Sequence, residues 1–124
     1  MTDSRHQTGK EGELLASRYL QKMGFQILEK NWRCRWGEID LVLRSRDKIV
    51  FAEVKTRKGT QYGKGFEAIH PQKQQKILKS ALAYLQKHPF EKEICFAVLS
   101  IDGKDAKKCI EYIEFPLDGS YRYY

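Results

Sequence analysis

The sequence predicts an α/β protein in the order helix, three strands, helix, two strands, with a mixed central sheet flanked by helices. Three observations lead there. Ile49–Ala52 and Ile94–Leu99 are apolar at consecutive positions, as sheet centres covered on both faces are expected to be. Only Ser45-Arg46-Asp47 separates two strongly strand-patterned segments, which makes them an antiparallel hairpin. A helical segment then separates the second of these from the next apolar run, and a crossover of that kind makes its flanking strands parallel.

Each element has its own local reason. Lys10 to Met23 reads as a helix ended by Gly24. On a helical wheel Ala16, Tyr19, Leu20 and Met23 share one stripe, Glu13 stands at its edge, and Glu11 points roughly opposite, toward water. Phe25 to Arg33 is an extended segment containing Ile27 and Trp32, and Arg35-Trp36-Gly37 supplies a turn. Glu38–Arg44 and Lys48–Arg57 are the two strong strands. A glycine-bearing loop, Gly59 to Gly65, leads to the second helix. Pro71 suits its first turn, and Ile77, Leu78, Ala81, Leu82 and Leu85 form its apolar stripe. That helix stops at His88, before Pro89, and Glu93–Ile101 and Cys109–Phe115 complete the sheet.

The chain has 124 residues, the size of one domain. Residues 1–124 therefore read as a single domain with residues 1–9 and 118–124 as flexible ends; Tyr121 to Tyr124 is a docking segment or a frayed end. The longest apolar run, Ile94 to Leu99, is six residues, whereas a helix needs about 20 to cross a bilayer. No membrane span is expected, and the first thirteen residues hold no apolar stretch that could serve as a signal sequence. Cys34, Cys95 and Cys109 form no C-x-x-C pair and show no zinc-ligand spacing. They are expected to be reduced thiols in a cytoplasmic protein.

The formal net charge is +7, and its distribution is uneven. Residues 54–79 hold seven cations, Lys55, Arg57, Lys58, Lys64, Lys73, Lys76 and Lys79, against the single acid Glu67. From Phe90 to Asp118 seven acids outnumber four lysines. A basic side attracts polyanions, because phosphate neutralisation releases counterions. Nucleic acid is thus a candidate partner, although a lysine-rich helix face is ordinarily just solvated.

The chemistry is concentrated at the strand ends. In Glu53-Val54-Lys55 the acid and the amine point to one face, directly after an apolar run. Alone, Glu-x-Lys is usually an exposed ion pair worth well under about 1 kcal/mol. Asp40, thirteen residues upstream, interrupts the apolar residues of the hairpin partner. A connection that pairs Arg44 with Ile49 sets Asp40 opposite Glu53, with β-carbons about 5 Å apart and Lys55 two residues along. A turn one residue shorter or longer moves Asp40 to the other face. Opposed carboxylates repel, and a bound cation relieves them. Two carboxylates with room for water and phosphate suit magnesium or manganese, and the Lys55 ammonium could stabilise charge building on phosphorus or orient the attacking water.

Gly12-Glu13, Ala16, Tyr19-Leu20, Gly24, Asn31-Trp32-Arg33, Gly37-Glu38-Ile39-Asp40-Leu41 and Phe51-Ala52-Glu53-Val54-Lys55-Thr56-Arg57 carry a resemblance, continued by Gly63, Ala68-Ile69, Lys73, Ala81 and Tyr84-Leu85. The chain is similar to the YraN-type family of small bacterial proteins, placed in the restriction-endonuclease-like, or PD-(D/E)xK, nuclease superfamily near Holliday-junction resolvases. The resemblance implies the restriction-endonuclease-like core, Asp40 and Glu53 as metal ligands, Lys55 as the catalytic lysine, and Glu13 as an additional helix-borne acid. Two positions depart from the superfamily pattern: Ile39 replaces its proline, and Ala97 stands where relatives often carry a supporting aspartate.

Other residues have two readings each. Trp32 and Trp36 beside Arg33 and Arg35 could stack on unpaired bases, or at least one tryptophan packs in the core. Lys73 and Lys76 could touch phosphates or solvate a helix face. Arg57 precedes a loop, Gly59 to Gly65, that contains Lys64 and could close over a nucleic-acid strand or be a plain connection. His6, His70 and His88 lack any partner at catalytic spacing, and the last two look like helix-end residues. The expectation is a magnesium- or manganese-dependent endonuclease cleaving DNA, in preference to RNA, with branched DNA and a two-fold dimer implied by the resemblance to resolvases. The alternatives are a non-catalytic nucleic-acid-binding module on the same fold, and a scaffold in which the acids form a structural ion-pair network.

Overall fold

The computed structural model describes residues 4–57, 71–102, 109–116 and 122–123. The elements are α1 (Ser4–Lys22), β1 (Gln26–Cys34), β2 (Gly37–Arg44), β3 (Lys48–Arg57), α2 (Pro71–Lys87), β4 (Glu93–Asp102), β5 (Cys109–Pro116) and β6 (Arg122–Tyr123). They build one sheet in which spatial order follows chain order, β1 to β6. β3 and β4, joined through α2, are parallel, and every other neighbouring pair is antiparallel. The mixed α/β architecture is thus the one read from the hairpin spacing and the crossover. Among the described residues no helix is long and apolar enough to cross a membrane.

Two ends differ from expectation. The first helix begins at Ser4, not Lys10, because the helical backbone continues through residues that carry no apolar stripe to reveal it. Arg122 and Tyr123, expected at a flexible end, pair with Glu114 and Ile113; a two-residue strand is too short to show periodicity. Gly59 to Gly65, with Lys64, lies outside the described residues, as does His70.

The end of α1 shows why Gly24 is needed. Phe25 N–H donates to Leu20 O and Gly24 N–H donates to Gln21 O, both at 3.0 Å, while Gly24 has φ +97°. This double closure requires a left-handed residue after the helix, and its apolar seal is the packing of Phe25 and Leu20 in one cluster.

The sheet separates two cores. On the α1 side Ala16 and Leu20 meet Leu41, Leu43, Val50, Ala52, Ala97 and Leu99. On the α2 side Ala81 and Tyr84 meet Ile39, Val42, Ile49 and Phe51. Trp32 also packs here, edge-on to Tyr84 with ring centroids 5.3 Å apart. The stripe expected on α2 is rotated. Ser80, Ala81 and Tyr84 are buried whereas Leu78 and Leu82 are exposed, because the aromatic ring of Tyr84 reaches Phe51 and Trp32 and turns that side of the helix inward. Met23, assigned to the α1 stripe, is likewise exposed. His88 does stand at a helix end, its N–H donating to Tyr84 O and its ring lying 4.6 Å from Tyr84.

One charge pair lies inside the α1-side core. Glu114 is fully buried; its Oε1 accepts from Lys48 Nζ at 2.7 Å and its Oε2 from Tyr112 Oη at 2.7 Å. Cys95 lies in the same core, and its Sγ donates to Glu93 Oε1 at 3.5 Å. Burial, then the negative charges of Glu114 and Glu93, push the Cys95 thiol up to about 12, against the opposing charge of Lys48.

Removing one member of the buried pair strands the other. Glu114→Ala should cost roughly 3–5 kcal/mol in urea unfolding, and Lys48→Met combined with Glu114→Leu should recover most of it. The Cys95 thiol titrates later folded than unfolded, so its contribution to stability is complete below its ordinary value of 9.0 and is lost as pH rises from there to about 12. Wild-type stability should therefore fall more steeply than that of Cys95→Ala in this window, by up to roughly 1 kcal/mol per pH unit, measured by urea melts.

Candidate functional site

Asp40 stands where two strand pairings both open. The β1–β2 ladder passes from Lys30↔Leu41 to Trp32↔Ile39, skipping Asn31 and Asp40. The β2–β3 ladder begins at Arg44↔Ile49 and stops at Leu41↔Ala52, one step short of Asp40 and Glu53. Asn31 has φ 52°, a left-handed conformation that asparagine tolerates better than most side chains. Alternation breaks at the same place. Leu41 belongs to the α1-side core, yet Ile39, two residues away, belongs to the α2-side core, although such neighbours in a regular strand share a face.

Asp40 is therefore half-buried at the junction of both faces. Its Oδ2 accepts a hydrogen bond from Val54 N–H at 2.8 Å, so a side chain ties β2 to β3 where the backbone ladder has ended. Two cavities meet at Asp40. The one on the α1 side, about 120 Å³, is lined by Glu13, Ser17, Lys30, Asn31, Asp40 and Val54 among others. The other, about 60 Å³, is lined by Glu38, Ile39, Asp40, Ala52, Glu53 and Ile77 among others. Glu53 is half-buried, with its Oε2 atom buried. Lys55 is also half-buried; alternation along β3 puts it on the same face as Glu53.

Asp40 and Glu53 thus share a cavity, in the register that the short hairpin connection demanded. Glu13 does not join them. It faces Asp40 from α1, across the sheet from Glu53, and among the described residues no three His, Cys, Asp or Glu side chains form a group able to hold a metal ion. The reason is the break at Asp40: that side chain borders both cavities, whereas α1 packs on one face and Glu53 points to the other. Ala97 is buried in the α1-side core and pairs with Ala52, so β4 adds no acid at that position. Lys30, Asn31 and Ser17 were not singled out as cavity residues; Lys30 and Asn31 could have been, by continuing the β1–β2 register to the position facing Asp40.

The basic residues are dispersed. Arg33 and Arg35 are exposed on the β1–β2 hairpin, where Arg33 Nε lies 3.3 Å from Glu38 Oε2. Lys76 is exposed on α2. Lys73 starts that helix and Arg57 ends β3, with side chains outside the described residues. Cys34 and Cys95 are free thiols. Burial acts to raise the Cys34 thiol, but a hydrogen bond with Ser80, the backbone at Trp36 and Gly37, and the charge of Lys87 together hold it below its ordinary value.

What these features define is a mixed α/β fold with a two-carboxylate site at a strand divergence. The chain belongs to a family described as "Uncharacterised protein family UPF0102", whose model matches residues 12–101, from Gly12 in α1 through β4. It is 47% identical over 106 residues to a UPF0102 protein of Syntrophomonas wolfei, covering 85% of this chain and 92% of that one. A UPF0102 protein of Synechococcus sp. is 40% identical over 107 residues, covering 84% and 82%. A third, from Syntrophus aciditrophicus, is 52% identical over 79 residues, covering 64% and 62%.

The Asp40–Val54 bond separates two substitutions that a purely chemical role would not. Asp40→Asn keeps an oxygen acceptor and should unfold within about 1 kcal/mol of wild type, whereas Asp40→Ala strands Val54 N–H and should lose roughly 1–3 kcal/mol in urea melts.

Proposed function

We propose that this protein is a divalent-metal-dependent endonuclease that hydrolyses phosphodiester bonds of DNA. The observation that carries the reading is the shared cavity of Asp40 and Glu53, with Lys55 two residues further along the same face of β3. The donor chemistry suits magnesium or manganese, which retain several waters and are commonly held by one or two carboxylates plus phosphate. Asp40 and Glu53 would hold the ion, which when bound supplies Lewis-acid polarisation of a phosphoryl oxygen. Val54 N–H keeps the Asp40 carboxylate in place. Lys55 stabilises the charge that develops on the phosphoryl oxygens and orients the attacking water. Glu13, which borders only the α1 cavity, would bind water on the far side of Asp40 and take no part in holding the ion. The resemblance to resolvases favours branched or structured DNA over RNA, and a two-fold dimer would present two such sites to two strands.

Labelled duplex, single-stranded, flap and four-way DNA, incubated with magnesium or manganese, should be cut by wild type. Asp40→Asn and Lys55→Ala should each reduce the rate by roughly two orders of magnitude or more. Calorimetric manganese titration should detect a site in wild type that Glu53→Gln weakens at least tenfold. Equal ion binding by both proteins, or cleavage that survives both substitutions, would overturn the proposal; salt-sensitive DNA binding without cleavage, indifferent to Asp40→Asn, would identify a binding module instead.

A further inference from the structure

The tip of the β1–β2 hairpin carries an aromatic side chain that the fold does not absorb. Trp32 is packed against Tyr84, but Trp36 is 41% exposed. Two cations approach its ring: Arg35 Cζ lies 4.7 Å from the centroid, and Lys79 Nζ, arriving from α2, lies 4.8 Å from it. The backbone beneath turns at a glycine. Gly37 has φ +146°, and a β-carbon there would lie 3.7 Å from Ser80 Oγ on α2. Cys34, on the other strand of the hairpin, bonds to that same Ser80 and to the backbone at Trp36 and Gly37. The platform and part of the candidate site are carried by the same two parts of the chain, the β1–β2 hairpin and α2. Glu38, two residues after Trp36, and Ile77, two before Lys79, both line the Asp40–Glu53 cavity.

We propose that Trp36, Arg35 and Lys79 form a stacking site for an unpaired base of a DNA strand whose backbone continues into the Asp40–Glu53 cavity. This rests on the endonuclease reading and gives it a substrate class, DNA with a single-stranded segment. An exposed aromatic plane flanked by cations matches a nucleotide, which offers a flat ring and a phosphate on either side. The cations that lie over the indole sit on flexible stems. Lysine is a compact, strongly hydrated charge, so a base can take its place over the ring while the ammonium moves to the adjacent phosphate; the planar Arg35 guanidinium can remain stacked. Bases within an intact duplex are already stacked on one another and gain nothing from the indole.

The test uses the full chain without divalent ions, so that binding is read apart from cleavage. An oligodeoxythymidylate of about 16 nucleotides and a duplex of equal length are compared by fluorescence anisotropy and by quenching of tryptophan emission. Wild type should prefer the single strand and be quenched on binding it. Trp36→Ala should weaken single-strand binding on the order of 5- to 150-fold, with a far smaller effect on duplex. Trp36→Phe should restore most of the affinity while abolishing the quench, and Lys79→Ala should lower the salt dependence by about one phosphate contact. Circular dichroism checks that each variant is folded. Single-strand affinity of Trp36→Ala within twofold of wild type, or a quench that persists in Trp36→Phe, would overturn the stacking site alone if wild type still cleaves DNA. Wild type that neither binds nor cleaves any DNA would overturn both this site and the endonuclease reading.

Discussion

Side chains on a strand alternate, so everything at the candidate site depends on the length of one connection. Ser45 N–H donates to Lys48 O at 2.9 Å, and Arg44 pairs with Ile49. That tight reversal determines which residues of β2 and β3 face each other, and hence that Asp40 and Glu53 reach the ladder's end together. One residue more or less in the turn would exchange the faces of a whole strand, sending Val42 and Leu43 to the wrong cores as surely as it would part the two acids. The hydrophobic pattern and the acid pair are therefore enforced by the same register. The buried Lys48–Glu114 pair lies at the beginning of β3, well before Glu53 in the strand, so the polar group that the core encloses and the acids that the cavity exposes are kept apart along one strand.

Much of this was legible in the residues. Apolar runs without alternation marked the sheet centre, Gly24 marked the end of α1, and the three polar residues after Arg44 marked the hairpin and so the register that leads both acids to one cavity. What stayed hidden was of three physical kinds. Helical backbone without an apolar face, as at residues 4–9, gives no periodic signal. A helix surface rich in leucine does not say which side faces the sheet; Tyr84 decided that for α2 by reaching Trp32 and Phe51, leaving Leu78 and Leu82 outside. Most important for the site, a local reversal of facing cannot be seen by counting residues in twos. Asn31 in a left-handed conformation and the skipped Asn31–Asp40 pair put Ile39 and Leu41 on opposite faces, and so Glu13 approaches Asp40 from the side that Glu53 does not share. The family pattern around Glu13 carried the residue but not its side of the sheet.

The two tryptophans of the β1–β2 hairpin show how little sequence proximity says about role. Four residues apart, one completes the α2-side core and the other stands at the tip with cations against its ring. Trp32 lies within β1, where its side chain faces α2, whereas Trp36 lies in the turn between β1 and β2, beyond the regular strand.

The bond from Val54 N–H to Asp40 has an evolutionary corollary. Asp40 accepts a hydrogen bond from the backbone of β3, so a relative without any turnover would still be under pressure to retain it. An aspartate retained at this position in a relative would thus be weak testimony to catalysis, and the more telling position would be one whose loss leaves the architecture untouched.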